Sequence, residues 1–279
     1  MAEALLDVDG LTVRFGGARV VEDVSFSTGY ERLAIVGESG SGKSLTARAI
    51  LGLVPAPGQV SCRRMSLAGR DLSALTPSAW AGVRGAEIGL VLQDPRFALN
   101  PSHRVGRQVE EALVLHTKLS RAERRERALD MLAAVGLERP REVYGLFPGQ
   151  LSGGMGQRVM IAAMLVARPK LLIADEPTSA LDEDLRRQIL ALIAELAEKH
   201  RMGLILISHD LQQVADFADR VLVMYRGRIV DRRPARELAG SDNPYTAMLW
   251  NCRPSAATRG TRLPVLSAAE REALDELRA

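Results

Sequence analysis

The 279-residue sequence has few aromatic side chains. Phe, Tyr and Trp together make up 4% of it, so aliphatic residues must fill the interior. Cysteine is scarcer still, with Cys62 and Cys252 alone. Two cysteines this far apart match no metal-ligand spacing and exclude a disulfide framework, which fits a reducing compartment. No uncharged stretch reaches the roughly 18 residues that a membrane span requires. The opening MAEALLDVDG lacks the basic region and apolar run of a secretory signal. Work at a membrane would therefore need a partner. A charge excess of one sign is also missing: 37 Lys and Arg stand against 34 Asp and Glu, for a net charge of +3. The densest charged run, residues 120–127, mixes signs and reads as a solvated helix face, so no nucleic-acid partner is expected.

What is present is ordinary globular material, 47% apolar and 25% charged, long enough for a sizeable core. Residues 4–36 read as short strands. Val24 and Phe26 share one face of a partly alternating segment, and 33–36 is a continuous apolar run. A helix is expected from the glycine-rich loop after it through Leu45 and on to residue 53, before Pro55. Residues 59–92 read as strands with one short helix opened by Thr76-Pro77, and 87–92 is a buried strand. Helical spacing takes over from 94 to 167, with helices expected over 105–115, 121–135 (stopped by Gly136) and 152–167. Strand and helix then alternate: 171–174, 183–199, 204–207, 211–217 and 220–224. Such alternation implies a parallel sheet and an α/β fold. Residues 251–264 read as a linker and 267–277 as a short terminal helix. No internal repeat or low-complexity segment is present.

The stretch 37–44, GESGSGKS, fits G-x-x-x-x-G-K-[ST] through Gly37, Gly42, Lys43 and Ser44, and lies between a strand and a helix as that pattern requires. Glycine lets consecutive backbone N–H groups close around a phosphate chain, and the following helix points its positive end at it. Gly37, Glu38, Ser39, Gly40, Ser41, Gly42, Lys43, Ser44 and Leu45 are thus the candidate ATP-binding residues. Lys43 can neutralise phosphate oxygens and Ser44 can ligate Mg²⁺. The apolar strand 171–174 ends in Asp175-Glu176. Asp175 is a candidate Mg²⁺ residue, and Glu176 a candidate to polarise the attacking water.

Leu151-Ser152-Gly153-Gly154-Met155 resembles the LSGGQ signature of ATP-binding cassette (ABC) transporters, with Met last. Gln93 is similar to that family's Q-loop glutamine, Ser179-Ala180-Leu181-Asp182 to its D-loop, His209 to its switch histidine and Phe15 to its adenine-stacking aromatic. With the glycine loop and the Asp-Glu strand, these stand in the family's order over residues 1 to about 240. The resemblance implies a P-loop NTPase (RecA-like) α/β core with a small antiparallel β subdomain and an inserted helical subdomain near 94–167, all within 1–250. A tail follows over 251–279. It further implies head-to-tail pairing with a second ATPase subunit, expected as a heterodimer. ATP and Mg²⁺ lie at the interface, and Ser152, Gly153, Gly154 and Asp182 face the partner's nucleotide. Glu176, His209 and Gln93 are the implied catalytic residues, with Gln93 also a metal ligand. Two membrane permeases and an extracytoplasmic solute-binding protein complete the implied complex, at the cytoplasmic face of the plasma membrane.

Residues 93–101, QDPRFALNP, together with 151–155, 157–162 and Asn243-Pro244-Tyr245-Thr246, resemble the dipeptide/oligopeptide/nickel uptake subfamily. Asn243 stands where that group has His. Many peptide-type members carry a cysteine-rich tail for an iron–sulfur cluster. This tail has Cys252 alone, so no cluster is expected, and the cargo expectation tilts to nickel or metal chelates over peptides. Gly156 departs from the longer side chain common there and should loosen the first helical turn. The competing class is a non-transport ABC ATPase acting on nucleic acid or ribosomes. Its usual marks, a coiled-coil insertion, zinc cysteines or a second cassette, are missing.

Overall fold

The computed structural model describes residues 4–179, 181–253, 265, 267, 270 and 274. Backbone proximity divides the chain into two compact units, residues 1–74 with 205–279, and residues 75–204.

The first unit opens with β1 (Leu6–Phe15), β2 (Ala18–Thr28), β3 (Arg32–Val36), α1 (Lys43–Ile50), β4 (Gln59–Ser61), β5 (Arg64–Leu67) and β6 (Arg70–Asp71). Gly16 and Gly17, with φ of 56° and 95°, form the two-residue turn that lets β1 fold back on β2. Strand β1 alternates as a half-buried strand should. Leu6, Val8, Leu11 and Val13 are fully buried, and the phase slips once at Gly10, a left-handed bulge. The resulting sheet is antiparallel, in the order β2-β1-β5-β6, with β4 also paired to β1.

The second unit contains α2 (Pro77–Trp80), β7 (Ile88–Val91), α3 (Pro95–Ala98), α4 (Val105–His116), α5 (Arg121–Ala134), α6 (Pro140–Gly145), α7 (Gly153–Leu165), β8 (Leu171–Asp175) and α8 (Glu183–Lys199). Strand β9 (Gly203–Ile207) starts in this unit and ends in the first. Strands β7 and β8 are parallel, with Val91 opposite Ala174. Helix α4 buries Val105, Val109 and Leu113 at a spacing of four, and packs on α5 and α7. Helix α5 begins with a capping box. Ser120 Oγ accepts from the Glu123 N–H, and the Glu123 carboxylate accepts from the Ser120 N–H at 2.7 Å. Its charged run faces solvent, as the mixed signs implied.

The chain returns to the first unit with α9 (Leu211–Phe217), β10 (Arg220–Tyr225), β11 (Arg228–Pro234) and α10 (Pro244–Asn251). Strand β10 lies parallel to β3, with Val223 opposite Val36, and β11 runs antiparallel to β10. Leu33 to Val36 and Val221 to Met224 are fully buried, and that two-sided burial explains why both read as unbroken apolar runs. Strand β11 and helices α6 and α10 had no expectation in the sequence. Strand β11 is charged and half-exposed at the edge of its pairing, so it shows no apolar period. The linker and terminal helix expected over 251–277 fall outside the described residues beyond position 253, apart from 265, 267, 270 and 274.

Candidate nucleotide site

In the first unit the phosphate loop leaves the end of β3 and enters α1. Gly37, Gly40 and Gly42 have φ of 149°, 82° and 102°, values that L side chains rarely adopt. Space is decisive at Gly37, where a Cβ would lie 2.2 Å from the Met224 carbonyl oxygen and 2.8 Å from Ser41 Oγ. The buried Lys43 ammonium donates to the carbonyls of Gly37 and Glu38, both at 2.8 Å, and so lies over the loop. Helix α1 has no side-chain cap and no acidic residue in its first turn. Its N–H groups and dipole are set for an anion. Ser44 is half-buried in that first turn. Phe15 ends β1, its ring against Gly58, where a Cβ would come within 2.8 Å of the ring. The Ser208 N–H donates to the Ile35 carbonyl at 3.2 Å. This bond holds the residue before His209 against β3 one position short of its end, and the His209 side chain is exposed. The first unit thus gathers the phosphate loop and His209 at one strand end.

The second unit gathers the acids. Because Val91 pairs with Ala174, Gln93 and Asp175-Glu176 leave their strands at the same edge. Leu171 to Ala174 are fully buried, and each large aliphatic of this kind contributes about 1.5–3 kcal/mol. Asp175 and Glu176 follow, half-buried. Glu176 has φ of 48°, a left-handed backbone that costs about 1–3 kcal/mol for a residue with a side chain. The turn after it holds that conformation: the Ser179 N–H and Oγ both donate to the Glu176 carbonyl at 3.3 Å. Gln157, buried within α7, donates its amide to the Pro177 carbonyl. The sequence assigned Gln157 no role. A polar amide on the apolar face of a helix was the available signal, because a buried amide needs a partner.

Gln93 itself is exposed. Next to it Asp94 caps α3, accepting from the Arg96 N–H at 2.8 Å. The Arg96 guanidinium, through its hydrogen bonds, holds the Asp94 carboxyl below its usual range. Ser152 caps α7, with Oγ accepting from the Met155 N–H at 3.3 Å. Gly153 and Gly154 form the first turn. A Cβ on Gly154 would sit 3.1 Å from Leu185, whereas one on Gly153 would meet nothing within 4 Å. Asp182 caps α8 by accepting from the Leu185 N–H at 2.9 Å. Ala180 of the same loop lies outside the described residues. Gly156 is buried where α7 meets the segment that follows Gln93, and a Cβ there would make an ordinary van der Waals contact with Pro95 at 3.4 Å.

Residues 21–179 match the sequence family described as ABC transporter. The chain belongs to that family. Among its relatives, the dipeptide transport ATP-binding protein DppD of Escherichia coli is 43% identical over 269 residues, covering 94% of this chain and 82% of that protein. The oligopeptide transport ATP-binding protein OppD of Bacillus subtilis is 43% identical over 263 residues, covering 92% and 74%. Among solved structures, the ATP-binding cassette MJ0796, in a dimeric post-hydrolysis state bound to ADP and Pi, superposes with a TM-score of 0.71 at 29% identity, covering 83% of this chain and 99% of that one. This ABC ATPase has the expected α/β fold of the P-loop NTPases and binds ATP. No helix among its described residues is long and apolar enough to cross a membrane.

Proposed function

We propose that the chain is the ATP-hydrolysing subunit of an importer for di- or oligopeptides, held at the cytoplasmic face of the plasma membrane by permease subunits. The observation that carries this reading is the 43% identity, across nearly the whole chain, to proteins named for dipeptide and oligopeptide transport. The sequence tilt to nickel rested on the cysteine-poor tail, which speaks to a cluster and not to cargo, so peptides are the better reading. Cassette residues 1–250 hold an inserted helical subdomain over about 94–167. In the second unit Phe97 is 87% exposed and Leu115 69% exposed. Apolar side chains left in solvent on that segment suit contact with a membrane partner.

The phosphate loop binds the ATP phosphates through its N–H groups and Lys43, and Phe15 supplies a stacking face for adenine. Ser44, Gln93 and Asp175 offer an all-oxygen donor set, which suits a hard cation such as Mg²⁺. When bound, that ion offsets charge developing on the phosphates. Glu176 orients and polarises the attacking water, and His209 contacts the γ-phosphate. Gln93 links the phosphate to the helical segment behind it. Gly153, open on its outer side, leaves room for the γ-phosphate held by a second ATPase subunit in head-to-tail pairing, with Ser152, Gly154 and Asp182 beside it. We infer that this second subunit is a non-identical chain, and that a solute-binding protein delivers the peptide outside.

The test is a tagged pull-down from detergent-solubilised native membranes with mass spectrometry of the partners. Two permeases, a second ATPase and a solute-binding protein whose ligands are peptides are expected. A binding protein selective for metal chelates would move the cargo to nickel-type substrates. A soluble complex with ribosomes or nucleic acid would overturn the transport reading.

A further inference from the structure

Asn243-Pro244-Tyr245-Thr246 takes no part in the chemistry above, yet Tyr245 and Thr246 are completely buried. Each residue of the element has a distinct task. Asn243 caps α10, its Oδ1 accepting from the N–H groups of Tyr245 and Thr246 at 3.0 and 3.1 Å. Pro244 begins the helix with its φ already set. Asn243 Nδ2 donates to the Val230 carbonyl of β11 at 3.0 Å. Thr246 Oγ1 donates to Asp231 Oδ2 at 2.7 Å, and Asp231 is held in turn by Ser241 Oγ and Arg233 Nε. The first turn of α10 is thus clamped to β11. The clamp aims Tyr245, whose ring packs on Tyr225 with centroids 4.6 Å apart. Its hydroxyl accepts from the Glu38 N–H at 3.1 Å.

That N–H belongs to the same peptide unit as the Gly37 carbonyl, which accepts from Lys43 Nζ at 2.8 Å. A trans peptide is planar, with its C=O and N–H on opposite edges. Lys43 and Tyr245 therefore grip one plane from both sides. Beside Gly37, the most permissive residue type, such a plane could otherwise rotate. Packing gives it little help on this side. A cavity of about 450 Å³ lies there, with Glu38, Ser41, Tyr225, Tyr245, Met248 and Cys252 among its walls. The Gly227 N–H supplies a second hold, donating to the Ser41 carbonyl at 2.9 Å. Burial, above all, pushes the Tyr245 phenol far above its ordinary pKa, so the acceptor stays neutral.

We propose that this element is a brace for the phosphate loop: Tyr245 is a positioning residue that fixes the Gly37–Glu38 peptide plane, so that the loop is preformed for nucleotide. The inference rests on the reading of residues 37–44 as the ATP site.

The test uses the full chain with Tyr245→Phe, which removes the hydroxyl alone, and Lys43→Ala as reference. ATP and ADP affinities are titrated, and hydrogen exchange is followed at the Glu38 amide without nucleotide. Tyr245→Phe is expected to weaken both nucleotides by about three- to ten-fold, the range for one hydrogen bond, and to speed exchange at Glu38 while α10 keeps its protection. Thr246→Val, which cuts the Asp231 anchor and keeps the phenol, should shift affinity the same way by less. Unchanged affinity and unchanged Glu38 exchange in Tyr245→Phe overturn the brace. So does a lowered melting temperature with faster exchange throughout α10 but unchanged affinity, which marks a role in folding alone. Should Tyr245→Phe fail to fold, Thr246→Val decides: weakened nucleotide supports the brace and unchanged affinity overturns it. If Lys43→Ala leaves ATP affinity unchanged, the ATP-site reading itself falls. If Lys43→Ala weakens binding and Tyr245→Phe does not, the brace alone falls.

Discussion

Gly37 and Gly153 are both glycines of candidate nucleotide-contact segments, and their surroundings differ. A side chain at Gly37 would meet the Met224 carbonyl at 2.2 Å, while at Gly153 it would meet nothing within 4 Å. Gly37→Ala should therefore distort the loop and abolish ATP binding, as measured by nucleotide titration. Gly153→Ala should leave the melting temperature of the isolated chain unchanged or slightly higher, because Ala suits a helix better. In the assembled transporter it should nevertheless slow ATP turnover, because the methyl would occupy space assigned to the partner's nucleotide. Glu176→Gln tests the chemistry. ATP affinity should persist while turnover falls at least about 100-fold, the lower range for losing a general base; a phosphate-release assay beside a binding titration separates the two. Gly37 and Glu176 were legible in the sequence as types at a spacing, and Gly153 through its resemblance to the family signature. The left-handed backbone of Glu176 was not, since no local sequence rule places a glutamate there.

Between elements, helix α7 carries two unlike tasks. Its first turn presents Ser152 to Gly154, and its buried face joins α3 through Gly156 and the turn after Glu176 through Gln157. Gln157→Leu keeps the volume but leaves the Pro177 carbonyl without this donor, at a cost of about 1–3 kcal/mol. Thermal melting should show the loss, and ATPase rates should fall further than stability alone predicts, because the turn that holds Glu176 loosens. Ser120→Ala is the contrasting case. It removes the capping box of α5 and costs about 1 kcal/mol. Turnover per folded molecule should not change, as nothing in that turn touches the candidate site. Helices α4, α5, α7 and α8 were readable from apolar spacing, and α8 matched its expected span of 183–199. Strand β11 and helix α10 were not, because their order comes from contacts such as Thr246 with Asp231, made by polar residues that carry no period.

At the scale of the molecule, distant segments are joined by a few specific links. Arg32, at the start of β3, and Asp219, just before β10, lie 187 positions apart. The Arg32 N–H and guanidinium both donate to the Asp219 carboxylate, at 2.8 and 2.7 Å. Hydrogen bonding from Arg32 holds the Asp219 pKa below its ordinary value. A carboxylate depressed in the folded state stabilises above the unfolded pKa and loses that contribution as pH falls through the folded one. Asp219→Asn should thus lower the melting temperature near neutral pH, and its curve should converge on the unmodified protein's in strong acid. Melting scans from neutral to about pH 2 would show it, spanning the carboxylate range.

The sequence by itself supplied the candidates for the chemistry proposed at ATP. Gly37, Lys43, Ser44, Asp175 and Glu176 stand out as candidates because phosphate binding needs particular atoms at particular spacings along a strand–loop–helix path, and His209 joins them through the family resemblance. It also determined the parallel core strands, since burial on both faces leaves an unbroken apolar run. Tertiary structure alone decided which backbone groups of the loop are held and by what. The partner of the Glu38 N–H lies 207 positions away at Tyr245. A hydrogen bond between residues that far apart leaves no period in either segment, and exists only once β3, β10, β11 and α10 have packed.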